Sequence, residues 1–138
     1  MNVENEKRYR LRIGSKIVGY QRILNDKMHF YSRDSFWWTG KPLEFEIQDE
    51  CLFIKDKNSK YIYEWDIVKF KIDPDGDYED GAILWNSQEL CFGIYAIRQE
   101  VFFPLKAEDL DLFDPRQMEV FSYLFINPEL QEKLGLRE

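Results

Sequence analysis

The sequence predicts a mostly β domain: a small, partly open barrel with additional strands and a short C-terminal helix. Three observations carry this. Short segments with period-two alternation, or with β-branched and aromatic enrichment, recur along the chain. Turn signals built from Gly, Pro, Asn and Asp separate them. Only the stretch after Asn127 carries the chemistry of a helix start. A length of 138 residues fits a single domain spanning 1–138, and a 44% hydrophobic, 17% aromatic composition supplies a core. Many short strands with few helices complete the case for a β fold.

Each element follows in order. Tyr9, Leu11 and Ile13 alternate with Arg8, Arg10 and Arg12, the period of a half-buried strand. Gly14-Ser15 breaks it, and Lys16 to Leu24 continues in strand-like composition. Asn25-Asp26 is a turn signal, with Met28 to Ser32 as the return strand. The aromatic cluster Phe36-Trp37-Trp38 ends at a turn, Thr39 to Pro42. Leu43, Phe45 and Ile47 then alternate with Glu44, Glu46 and Gln48, the clearest strand signature in the chain. Cys51 to Ile54 reads as a short apolar strand, Lys55 to Lys60 as a charged turn, and Tyr61 to Ile72 as β-rich. Asp73 to Gly81 is an acidic loop, followed by strands at Ala82 to Trp85, Leu90 to Ile97 and Val101 to Phe103. Ala107 to Leu112 reads as a helical turn or loop, and Arg116 to Phe125 as a pairing strand. Asn127 as N-cap and Pro128 at the first helical position open a short helix that runs to Leu134 and stops at Gly135.

A net charge of −7 opposes non-specific attraction to DNA or an anionic membrane. The charge is unevenly spread: residues 1–72 carry a balance of +3 and residues 73–138 a balance of −10. Such asymmetry either orients a partner or reflects two solvated faces. No apolar run approaches the roughly 20 residues of a membrane helix, and Met1 to Arg12 lacks the apolar stretch of a signal peptide. Cytoplasmic localisation is the expectation. Cys51 and Cys91 sit in apolar settings and form no Cys-x-x-Cys pair, so buried reduced thiols are expected.

The residues offer few sites for chemistry. Counted from Asp73, the acidic loop to Asp80 has Tyr78 and Leu84 where a calcium-binding EF-hand needs Gly and Glu, so it reads as a solvated turn, with a calcium site of another type as the alternative. His29 is the only histidine and is expected to be a partly buried structural residue. With no phosphate loop, dinucleotide fingerprint or nucleophile signature, no catalytic residue, cofactor or metal is assigned. The aromatics at Phe36 to Trp38 and at Tyr61, Tyr63 and Trp65 suit either a stacking platform or a barrel interior. Trp37 and Trp38 are adjacent and face opposite ways on a strand, so one of them belongs in solvent or an interface.

Residues Lys55 to Phe70, reading KDKNSKYIYEWDIVKF, resemble the YopX family of phage and prophage proteins. That family shows a turn of the type Lys-Asp-Lys-Asn-Gly-Lys followed by Ile-Tyr-Glu-Gly-Asp-Ile-Val. Gly81 to Trp85 is similar to its glycine-led strand, and Glu119-Val120-Phe121 with Asn127 to Leu130 is similar to its C-terminal segment. The resemblance covers about residues 50–135, leaving 1–49 as divergent strands. It implies a phage or prophage origin and, in part, an SH3-like barrel. The family has no established activity. Within the motif Asn58, Tyr63, Glu64 and Asp66 read as structural. Ser59 stands where the family prefers Gly, so Asn58 is expected to take the positive φ. Glu64 and Asp66 flank a bend where a carboxylate accepts backbone N–H bonds. Trp65 replaces the family's Gly and is expected to project outward.

The functional expectation is a non-catalytic protein-interaction module, with a second copy or another protein as partner through Trp37, Trp38 and Trp65. The alternative is a nucleic-acid-associated factor using Arg8, Arg10, Arg12, Lys16 and Arg22 as a basic face.

Overall fold

The two-residue periodicity at the N-terminus builds three successive antiparallel strands: β1 (Glu6–Ile13), β2 (Lys16–Leu24) and β3 (Lys27–Ser32). Between β2 and β3, Asn25 and Asp26 both take left-handed backbone, with φ of 52° and 65°, the geometry that a tight hairpin requires. The structure is a computed structural model describing residues 6–32 and 37–136. The chain forms two compact units, Met1–Cys51 and Leu52–Glu138.

In the first unit the strand order is β3-β2-β1-β4, where β4 (Ile47–Lys55) enters antiparallel to β1. The Leu43-Phe45-Ile47 alternation does not form a strand before Ile47. β1 ends at Ile13, and Arg12 opposite Ile47 is its last pairing with β4. The Glu46 N–H still donates to the Arg12 carbonyl at 3.0 Å, but among the described residues 43–45 join no strand, and Phe45 lies exposed. Leu11 and Phe30 are buried, whereas Ile13, assigned inward by its alternation, is exposed.

The second unit holds β5 (Tyr61–Tyr63), β6 (Asp66–Lys71), β7 (Tyr78–Asn86), β8 (Cys91–Ala96) and β9 (Val101–Pro104). It continues with β10 (Lys106–Ala107), β11 (Leu110–Asp111), β12 (Glu119–Tyr123) and α1 (Pro128–Lys133). An antiparallel sheet runs in the order β12-β6-β7-β8-β9, linear and not closed on itself, consistent with a partly open barrel. Both faces of this sheet are covered. Val68, Phe70, Ile83, Ile94 and Met118 form one buried cluster. Ile67, Ala82 and Leu124 form another, against which Leu130 and Leu134 of the C-terminal segment pack.

Residues 107–112 form a β-hairpin rather than a helical turn. Glu108 and Asp109 take φ of 53° and 67°, a left-handed pair that folds Leu110 back opposite Ala107. Arg116 sits in a 3-10 turn (Pro115–Gln117), so β12 starts only at Glu119. α1 begins at Pro128, but the Asn127 side chain does not cap it. Its amide donates instead to the Tyr123 carbonyl at 2.7 Å and ties the helix start to β12. At the other end the Gly135 N–H donates to the Glu132 carbonyl and the Leu136 N–H to the Gln131 carbonyl, with Gly135 at φ 70°. That pairing is a Schellman stop, which the glycine permits without steric cost.

Candidate functional site

β1, β2 and β3 place Arg8, Arg22 and His29 directly opposite one another, hence on one face of the first unit's sheet. The Trp38 indole lies across this row. Its centroid is 5.4 Å from the Arg8 guanidinium carbon, 4.9 Å from that of Arg22, and 5.7 Å from the tilted ring of Tyr31. Two guanidinium groups against one indole attract its ring quadrupole and hold it still. Arg8 also pairs with the Glu6 carboxylate. Trp37, the next residue, is 67% exposed. Phe36, the third member of the aromatic cluster, lies outside the described residues.

The basic row splits. Arg10 and Arg12 are each 2% exposed, and their Nε atoms donate to Asp49 Oδ2 at 2.9 and 2.8 Å. Arg12 adds a bond to Asp49 Oδ1 at 3.0 Å and one to the Gly14 carbonyl. Both are withdrawn from the expected nucleic-acid face, because a buried, paired guanidinium presents nothing to a phosphate. Arg8 and Arg22 are occupied with Trp38, and Lys16 stays exposed. Among the described residues Arg22 Nε and His29 Nδ1 are buried atoms without a hydrogen-bond partner.

In the second unit the residues read as a structural motif meet at one corner. Asp66, fully buried, accepts the Tyr63 N–H at 2.8 Å, the carboxylate-to-backbone bond that its position beside the bend suggests. Tyr63 is buried and Glu64 half-buried. The left-handed residue of the preceding turn is Ser59, φ 62°, not Asn58. The cause is Asp56, which was not singled out as a motif residue. Its Oδ1 accepts the N–H groups of Asn58 and Lys60, and its Oδ2 accepts that of Val120 at 2.9 Å on β12. This Asx turn fixes residue 58 and passes the positive φ to 59.

Trp65 also takes left-handed backbone, φ 74°. It does not project freely outward: the side chain is half-buried against the Ile67, Ala82 and Leu124 cluster. Its N–H donates to the Ile83 carbonyl and its carbonyl accepts from Leu124 N–H, both at 2.8 Å. Packing against the apolar side of the sheet draws the indole in, so of the three candidate indoles Trp37 is the strongly exposed one.

The acidic loop closes on itself. Asp73 Oδ1 accepts the Asp75 N–H, and the Asp73 carbonyl accepts that of Gly76. Among the described residues no group of three or more His, Cys, Asp or Glu side chains converges to hold a metal ion. Beside the loop an open cleft of about 360 Å³ is lined by Tyr78, Glu79, Asp80, Ile97, Arg98 and Lys133. Among the described residues Asp114, Arg116 and Lys57 titrate away from their ordinary values. The Arg116 side-chain hydrogen bond lowers the Asp114 carboxyl, and Asp114 in turn raises Arg116. The Glu119 hydrogen bond raises Lys57.

Sequence reasoning missed Asp49 and Asp56. Asp56 carries a local signal, an Asp opening a charged turn. Asp49 carries none, since its arginine partners are 39 and 37 residues away. No protein-family model matches the chain, and no curated protein matches it. Among the described residues no helix is long and apolar enough to cross a membrane.

Proposed function

We propose that this chain is a cytoplasmic, non-catalytic protein-interaction module of phage or prophage origin, akin to the YopX family, that binds a second copy of itself or another protein. The observation that carries the reading is Trp37, exposed beside an indole that lies against two guanidinium groups. A large aromatic side chain on a braced support contributes contact area at low entropic cost, as interface anchors do. The kinship draws support from the backbone: Ser59 and Trp65, the two positions where the family carries Gly, are both left-handed.

Light scattering at micromolar concentration tests self-association, and affinity capture from the native host tests a foreign partner. Trp37→Ala should leave the melting temperature unchanged and abolish the association. Association that survives Trp37→Ala overturns the reading. Nucleic-acid association is the second reading, resting on Lys16, which stays exposed. Anisotropy with labelled single-stranded DNA decides it, because phosphate-driven affinity falls steeply between about 50 and 200 mM salt.

A further inference from the structure

Trp85 on β7 and Phe92 on β8 are opposite one another, with ring centroids 4.9 Å apart and planes at 69°. They lie on the sheet face that buries Ile83 and Ile94, and continue it beyond the covered core. Leu105 N–H donates to the Phe92 carbonyl and Leu112 N–H to the Leu105 carbonyl, so Trp85, Phe92, Leu105 and Leu112 occupy laterally successive positions. Trp85 and Leu112 are each almost half exposed. Two leucines flank this row: Leu90, in the turn before β8, is 73% exposed, and Leu110, the first residue of β11, is 70% exposed. Turn tips ordinarily carry polar residues, and Leu90 further holds a left-handed φ of 55°. An apolar side chain kept both strained and wet points to use.

The border of this row is acidic. Glu89 precedes Leu90, while Glu108, Asp109 and Asp111 surround Leu110, all four exposed. The one lysine of the hairpin, Lys106, is drawn to Asp111 at 4.0 Å. We infer that this surface docks a basic, leucine-rich amphipathic segment of another protein. Its apolar residues cover Trp85, Leu90, Leu110 and Leu112, and its Lys or Arg residues face the carboxylates. A nucleic acid is repelled by this border. A two-fold copy of the same patch would set the four carboxylates against their own counterparts. The inference does not rest on Trp37.

Fluorescence anisotropy with a labelled peptide of alternating leucine and lysine tests the assignment, with serine–lysine and leucine–glutamate peptides as controls. The leucine–lysine peptide should bind the full chain, and Leu90→Ser with Leu110→Ser should weaken it at least about tenfold. Glu108→Lys with Asp109→Lys should weaken it most at low salt. Equal binding of the serine–lysine peptide overturns the inference, as does full binding by the double-serine variant. A dimer that dissociates in the double-serine variant also overturns it, by making the surface a contact between copies. Both leucines are more than two-thirds exposed, so that variant should melt with the parent. A lowered melting temperature would assign them to stability and overturn the inference too.

Discussion

Asp49 is a single carboxylate, 2% exposed, on which two buried guanidinium groups converge. Removing it takes away the carboxylate that both buried cations share. Asp49→Ala should therefore cost about 3–5 kcal/mol, read from urea unfolding. Ser59 presents the opposite case, a residue whose side chain burdens its own backbone. At φ 62° a Cβ is sterically unwelcome, so Ser59→Gly should raise stability by about 0.5–1 kcal/mol in the same measurement. Asn58→Gly should give no such gain, since residue 58 is not among those with positive φ. An equal gain at both positions would show that backbone strain at 59 is not what the substitution relieves.

Between elements, Asp56 is the fastening: one oxygen organises the turn before β5 and the other holds β12. Asp56→Ala strands the Val120 N–H, and it should lower stability by about 1–3 kcal/mol. Thermal unfolding checks this, with hydrogen exchange at Val120 accelerated. The β8–β9 pair is constrained differently. A Cβ at Gly93 would meet Phe102 Cζ at 2.3 Å and the Phe103 carbonyl oxygen at 2.4 Å. Gly93→Ala should cost about 1–3 kcal/mol by overpacking, measured as a fall in the denaturation midpoint. Most of these elements were legible in the sequence because turn chemistry is local: Asn25-Asp26 and Pro128 mark real boundaries. The failures share one cause. Leu43 and Phe45 alternate as a strand does but lack a neighbour to pair with, and Arg10 and Arg12 alternate as an outer face does but find Asp49. Both outcomes depend on a strand tens of residues away, which no local pattern records. The corner at Asp66 was readable, whereas the Trp85 row was not, since its members come from separate strands and turns.

For the whole molecule, charge is the property that reaches solution behaviour. A chain with net charge −7 and pI near 4.8 repels its own copies at neutral pH. That repulsion falls away as the carboxylates protonate, while the exposed Trp37, Leu90 and Leu110 remain. Solubility should accordingly pass through a minimum near pH 4.8. Leu90→Ser with Leu110→Ser should raise that minimum, as measured by turbidity across a pH series. A minimum unmoved by the double variant would show that charge alone sets it.

The arginine pair on β1 and its aspartate on β4 also bear on how such a chain can change over generations. Loss of Asp49 alone leaves two buried cations without their shared carboxylate, whereas loss of one arginine leaves a neutral arginine–aspartate pair, so the step at Asp49 is the steep one. Replacing all three together by apolar residues of similar volume crosses to a neutral or more stable state. Drift at residues 10, 12 and 49 should therefore begin at an arginine and not at Asp49.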